Sequence, residues 1–267
     1  MRYLIFDLSY YTFYRFFATK QWYKHANKDE VFEDGYDYTK NTIFWEKYSK
    51  MFIENIHKLI KKFKIEKVIF AKDCPRDQIW RSTIYNKYKS NRDNSNSGIG
   101  NVFKKTYSDI LPFLLVNDKI QLISIPQLEA DDIIYLTTKQ IINNLQNDEI
   151  WIVSSDQDLL QIIEPNITLI DAKMKPYNNK SYGSKDRDIF MKCIMGDSSD
   201  YIEQAFPKRT MGNKKAIKCI DDYDSLIDNF RKYPGSFDKF AFNNLLIDFR
   251  NIPEELVLYY NENYSIE

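Results

Sequence analysis

Histidine is nearly missing from this chain: His25 and His57 are the only two among 267 residues. Histidine-centred catalysis and a histidine-rich zinc site are therefore poor readings. Cysteine is as scarce, and Cys74, Cys193 and Cys219 lie far apart without a C-x-x-C pair. That pattern suggests neither a disulfide framework nor a thiolate zinc site, and it fits a reducing compartment. No apolar run approaches the roughly 20 residues needed to cross a bilayer. The segment Met1-Arg2-Tyr3-Leu4-Ile5-Phe6-Asp7 meets charge too early for a signal peptide, so an intracellular protein without a membrane partner is expected. Net charge is lacking too, since 38 basic residues balance 38 acidic ones, which by itself argues neither for nor against nucleic acid. Any metal bound here must be held by oxygen.

What is present is apolar surface, 43% of the residues, enough for one large domain or one domain with a modest appendage. Four short runs rich in Ile, Val or Phe are each followed closely by an acid. They are Tyr3-Leu4-Ile5-Phe6 before Asp7, Val68-Ile69-Phe70-Ala71 before Asp73, Ile120 to Ile125 before Glu129, and Ile150 to Ser154 before Asp156. Continuous apolar runs of this length read as strands buried on both faces of a parallel sheet. Helical periodicity fills the gaps, notably Asn41 to Phe63 and Ala130 to Asn144, and a fifth strand is expected at Thr168 to Ile170. The alternation predicts an α/β fold with a doubly wound, mainly parallel sheet, whose ligands bind beyond the carboxyl ends of the strands.

Two segments read as insertions, Thr19 to Lys40 and Pro75 to Asn117, the second with a flexible tip at Asn94 to Asn101. After the fifth strand the pattern turns helical. The expected division is a core over 1–190, with an arch over about 75–117, and a helical region over 191–267. Basic residues crowd into Lys58 to Lys67, Lys72 to Lys105 and Lys208 to Lys218; solvated helix faces are the plain explanation for any one of them.

Nine acids could share the active edge: Asp7, Asp73, Glu129, Asp131, Asp132, Asp156, Asp158, Asp197 and Asp200. In one cleft they would repel one another unless cations neutralised them, and oxygen ligands select Mg²⁺ or Mn²⁺. Setting those nine of the 38 acids aside leaves 29 against 38 basic residues, a surplus available to phosphates. Helix capping explains any single strand-end Asp equally well, and an acidic start to a helix is favoured by the helix dipole. Four strand ends together strain that explanation.

These motifs, taken in order, resemble the flap endonucleases and the phage and polymerase-linked 5′-nucleases. Ile5-Phe6-Asp7 and Lys72-Asp73 look like that family's first two metal-binding aspartates. Leu128-Glu129-Ala130-Asp131-Asp132 resembles its E-A-D-D segment, and Ser155-Asp156-Gln157-Asp158 its S-x-D-x-D. Met195-Gly196-Asp197-Ser198-Ser199-Asp200 matches the G-D-x-x-D that opens a helix-three-turn-helix element. Arg81 with Tyr88-Lys89-Ser90-Asn91-Arg92 looks like the arginine and Y-K-x-N-R of the gating helix. Three features depart from the pattern. Tyr201 stands where the family often has asparagine, Leu8-Ser9-Tyr10 lacks a usual glycine, and Arg15 falls one residue late. The glycine-rich hairpin is matched only in its second half, Met211-Gly212-Asn213-Lys214-Lys215-Ala216, which leaves the case for a potassium ion weak.

The resemblance implies a PIN-like fold and two-metal phosphodiester hydrolysis, one ion generating hydroxide and both stabilising charge on the attacking and leaving oxygens. Asp7, Asp73, Glu129 and Asp131 would lean toward one ion and Asp132, Asp156, Asp158 and Asp197 toward the other, with Asp200 acting through water. Lys89 and Arg92, together with Asp131, would serve the chemistry at the scissile phosphate. Arg81, Tyr88, Lys89, Arg92, Lys208, Arg209, Gly212, Lys214 and Lys215 would contact DNA with 5′ ends, flaps or nicks, or an RNA/DNA hybrid, with the protein acting as a monomer. A PIN-type ribonuclease or a Toprim domain would share the acids but lack the G-D-x-x-D module. A DNA-junction binder without catalysis would use the fold as a scaffold.

Overall fold

The structure is a computed structural model that describes residues 1–28, 35–91, 98–144 and 148–266. Its five strands are β1 (Arg2–Asp7), β2 (Lys67–Ala71), β3 (Ile120–Ile123), β4 (Glu149–Val153) and β5 (Ile167–Ile170). They form one all-parallel sheet in the order β3-β2-β1-β4-β5. The doubly wound α/β fold expected from the apolar runs is the one observed, with β3 ending two residues before Ile125. β1 sits at the centre because all four residues from Tyr3 to Phe6 are fully buried. The chain builds outward from β1 through β2 to β3, then returns to place β4 on the other side of β1. The carboxyl ends of β1 and β4 therefore flank the point where the winding reverses, the place where such sheets leave a crevice.

Strand alternation divides the core into two layers. Leu4 and Phe6 face an aromatic layer under helices α1 (Leu8–Ala26) and α2 (Thr42–Phe63). In α2 the side chains of Phe44, Tyr48, Phe52, Ile56 and Leu59 recur every three or four residues and are all buried, which is what makes this segment a helix lying on a sheet. Asn41 starts it by accepting the Phe44 N–H at 2.9 Å, and Lys64, at φ 52°, ends it in a left-handed turn. Tyr3 and Ile5 face the opposite layer, which includes Ile133, Ile134 and Ile141.

The remaining helices are α3 (Trp80–Ile84), α4 (Ile99–Lys105), α5 (Leu111–Leu114), α6 (Ala130–Asn144), α7 (Lys185–Met195), α8 (Asn213–Asp221), α9 (Tyr223–Lys232), α10 (Ser236–Ile247) and α11 (Glu254–Asn263). A π turn over Thr106–Ile110 joins α4 to α5. Among the described residues no helix is long and apolar enough to cross a membrane.

Both expected insertions shrink on inspection. Thr19 and Tyr23 are buried within α1, so the first begins only after Ala26. In the second, Val102, Ile110, Leu111 and Leu114 belong to the aromatic layer. Asn94 to Ser97 of the expected tip lie outside the described residues, and Ile99 to Asn101 already form the first turn of α4. The helical region begins at Lys185, ahead of the expected 191. Its last stretch returns to the sheet, where Phe249, Ile252, Leu256, Tyr260 and Ile266 pack in the same core as Tyr3 and Ile133.

Candidate metal centre

Asp7 ends β1 and caps α1. Its Oδ1 accepts the Tyr10 N–H at 2.9 Å, and its Oδ2 accepts from Ser154 Oγ at 3.2 Å across the β1–β4 seam. Asp73 follows β2 and accepts the Ala130 N–H at 2.8 Å, which ties it to the first turn of α6. Asp156 leaves β4 and accepts the Asp158 N–H at 2.9 Å, fixing the turn between the two acids. Asp131, one residue into α6, has a buried Oδ1 without a hydrogen-bond partner among the described residues.

These four carboxylates act on one another. Burial and then the Asp73 and Asp156 charges push the Asp7 carboxyl up to about 7. Burial and the Asp156, Asp7 and Asp73 charges raise Asp131 well above the carboxylate range. None of the four is ion-paired among the described residues. Such a group holds excess negative charge that a hard cation would relieve, and the unpartnered Asp131 oxygen is a donor still to be used.

A second group stands beside it. Asp158, Asp197 and Asp200 each bring a carboxylate oxygen within 4.8 Å of the others, a spacing able to hold an ion. Here a tight loop does the positioning: Asp197 and Ile202 form an antiparallel bridge, and Asp197 Oδ1 accepts from the Ser199 N–H and hydroxyl at 2.8 and 2.6 Å. Gly196 makes the turn possible, with φ +70° and an added Cβ only 2.5 Å from the Ile202 carbonyl oxygen. Tyr201 sits at φ 62°. Asparagine tolerates that left-handed conformation better than tyrosine does, a physical reason for asparagine in the related motif. Asp7, Asp73, Asp131, Asp156 and Asp197 line one cleft of about 710 Å³, with Lys89, Lys192, Phe13 and Asn213 on its walls, while Asp158 and Asp200 lie in a small recess shared with Glu129 and Asp131.

Unlike the first group, the second is already partly neutralised. Lys192 Nζ pairs with Asp158 and lies 2.7 Å from Asp197. Burial raises the Asp197 carboxyl, but Lys192 and Ser199 outweigh it and bring it to about 2. Lys89 pairs with Glu129 and lies 3.7 Å from Asp200. Lys192 was not expected from the sequence. A lone lysine four residues before Gly196 looks like any solvated helical position.

Several expected residues do something else. Asp132 is fully buried: Arg81 Nη2 meets its Oδ1 at 2.7 Å, and Arg81 Nη1, Trp80 Nε1 and the Glu129 N–H meet its Oδ2 at 2.8, 3.1 and 3.1 Å. Both its oxygens are engaged in this arrangement, which supports the start of α6. Arg81, expected on DNA, is 3% exposed and also donates from Nε to the Leu246 carbonyl at 2.7 Å, so no phosphate reaches it. Glu129 meets Arg81 Nη1 at 3.0 Å as well as Lys89; burial raises its carboxyl, and the Lys89 and Arg81 charges reverse the shift and lower it. Tyr88 is 7% exposed and cannot present its ring to a base. Its hydroxyl lies 3.0 Å from both Glu129 Oε2 and Asp200 Oδ2, with one proton for the two. The grouping of the side chains differs from the expected division of ligands. Asp156 joins Asp7, Asp73 and Asp131, while Asp200 joins Asp158 and Asp197 as a direct candidate.

Arg92 lies outside the described residues. Lys208, Arg209, Gly212, Lys214 and Lys215 are all exposed around the start of α8, in the same helical region as Asp197 and Asp200. In the hairpin, Lys215 Nζ donates to the Thr210 carbonyl at 3.0 Å and Gln204 Nε2 to the Met211 carbonyl at 2.5 Å. Two carbonyls that a potassium ion could use thus already have donors.

Residues 2–188 match the family model described as the 5′-3′ exonuclease, N-terminal resolvase-like domain. This chain belongs to the 5′-3′ exonuclease family. The 5′-3′ exonuclease of Mycoplasmopsis pulmonis is 29% identical over 206 residues, covering 73% of this chain and 62% of that protein. That of Buchnera aphidicola subsp. Acyrthosiphon pisum is 28% identical over 219 residues, 78% of this chain and 71% of its own length. This member of the family therefore spans less than two thirds of the first relative. Its fold matches that of the bacteriophage T5 D15 protein co-crystallised with metal ions, with a TM-score of 0.69 at 15% identity and 98% of each chain covered. The T5 D15 flap endonuclease, in a pseudo-enzyme–product complex with DNA and metal ions, gives 0.67 at 16% identity over 98% of this chain and 97% of that one.

Proposed function

We propose that this exonuclease-family chain is a divalent-metal 5′-nuclease that hydrolyses DNA phosphodiesters at 5′ ends, flaps or nicks, in replication, repair or recombination. The observation that carries the reading is the convergence of five carboxylates from five separated segments, Asp7, Asp73, Asp131, Asp156 and Asp197, on one cleft, the first four mutually repelling, with Asp158 and Asp200 grouped beside Asp197. The relatives are 5′-3′ exonucleases, and the T5 structural neighbour holds DNA and metal ions, which supports the same chemistry here. Two Mg²⁺ or Mn²⁺ ions held in the cleft would supply the positive charge that activates a water molecule and stabilises the phosphoryl oxygens.

Asp7, Asp73, Asp131 and Asp156 would hold one ion, and Asp158, Asp197 and Asp200 the other. Ser154 and the Ala130 N–H fix Asp7 and Asp73, so the first set needs little reorganisation. Lys89, at the cleft wall, would turn from Glu129 toward the scissile phosphate, and Arg92 would act from the same segment. The start of α8, with Lys208, Arg209, Lys214 and Lys215 around it, would hold duplex backbone without reading sequence. Products should carry a 5′-phosphate and a 3′-hydroxyl.

The test is incubation of a 5′-flap, a nicked duplex and single-stranded RNA with Mg²⁺, with Ca²⁺ and with chelator. DNA cutting in Mg²⁺ alone is expected, and cleavage confined to the RNA would refute the substrate. The double variant Asp156→Asn, Asp158→Asn should lose cutting while still binding DNA in Ca²⁺.

A further inference from the structure

Across the cleft, charge is compensated unequally. The Asp7, Asp73, Asp131 and Asp156 group contains no ion pair among the described residues and leaves a buried Asp131 oxygen without a hydrogen bond. The Asp158, Asp197 and Asp200 group contacts two ammonium groups, Lys192 on the first two and Lys89 on the third. Lys192 projects from the last turn of α7, directly before the Gly196 turn that carries Asp197, so helix and loop together aim its ammonium between the acids.

We propose that Lys192 is a built-in counter-cation of the second metal site, so that an ion enters among Asp158, Asp197 and Asp200 only in exchange for it. An ammonium and a divalent ion seeking the same carboxylate oxygens exclude each other by charge and by volume. Among the described residues the first site has no such competitor, so it fills first. Lys192 lines the cleft, so once displaced its ammonium could take a DNA backbone phosphate seated there as its counter-charge. Loading of the second ion and seating of the substrate would then favour each other, as linkage requires of two events that share one displaced group.

This inference rests on the metal-dependent reading above. Its test is calorimetric titration of Mn²⁺ into the full chain and into Lys192→Met and Lys192→Arg, with thermal melts in chelator to establish folding. The wild type should show one tight event and a weaker second one. Lys192→Met should tighten the second event by at least about fivefold and leave the first nearly unmoved, while Lys192→Arg should behave as the wild type. Equal tightening of both events would mark a general charge effect and overturn the exchange, as would a second event indifferent to Lys192→Met. Absence of any Mn²⁺ binding would overturn the metal reading together with it. Mn²⁺-soaked wild-type crystals provide a check that needs no variant. An ion among Asp158, Asp197 and Asp200 should be accompanied by a withdrawn Lys192, and an ion there with Lys192 still on both acids would refute the idea.

Discussion

Arg81 illustrates how far a side chain's work can lie from its motif. Its guanidinium, 3% exposed, meets both Asp132 oxygens, Glu129 and the Leu246 carbonyl. Removing it would strand two buried carboxylates, so Arg81→Ala should destabilise the protein by about 3–5 kcal/mol, measured by denaturant unfolding; a loss of DNA affinity at unchanged stability would contradict the structural role. Tyr201 is the opposite case. Its left-handed backbone should make Tyr201→Asn stabilising by about 0.5–1 kcal/mol, read as a higher melting temperature. Four of the acids were legible because each follows an apolar run, and the rest because they sit in short acidic motifs. Their division of labour was not, because Arg81 is 51 residues from Asp132 and nothing in local spacing encodes that pairing.

At the level of elements, strands and long helices were readable from local pattern alone: β1 is apolar from Tyr3 to Phe6, and α2 repeats its buried residues on one face. Within the two segments read as insertions, Thr19 and Thr106 are buried in helical stretches, where Thr19 donates to the Arg15 carbonyl at 2.8 Å and Thr106 shares a 2.9 Å bond with Tyr48. The Asp197–Ile202 loop is the element most exposed to a single substitution. Gly196→Ala would drive a methyl group into the backbone at 2.5–2.7 Å. The loop should then move, with a loss of about 1–3 kcal/mol and of second-site metal binding, seen by unfolding and Mn²⁺ titration. Retention of both would show that the loop adapts.

For the whole molecule, the cleft couples folding to pH and to metal. Asp7 binds its proton up to about 7 when folded and releases it near the ordinary carboxylate value when unfolded. Between those limits the folded state holds the extra proton, so metal-free stability should fall as pH rises from about 4 to 7, by on the order of a few kcal/mol. Asp197 has the opposite sign, and its contribution is lost only as pH falls from about 4 toward 2. Mg²⁺ should restore stability most at neutral pH, in thermal melts with and without chelator; a melting temperature insensitive to metal across that range would contradict the coupling. The route by which the chain closes on itself has its own consequence. The family match stops at residue 188, yet Phe249 to Ile266 fill one face of the sheet and Leu246 receives Arg81. A fragment trimmed to the recognisable portion would keep α6 over that side of the sheet but lose the apolar side chains packed around it and leave its central arginine lacking an anchor, so the signature region and the folding unit are different lengths of the same polypeptide.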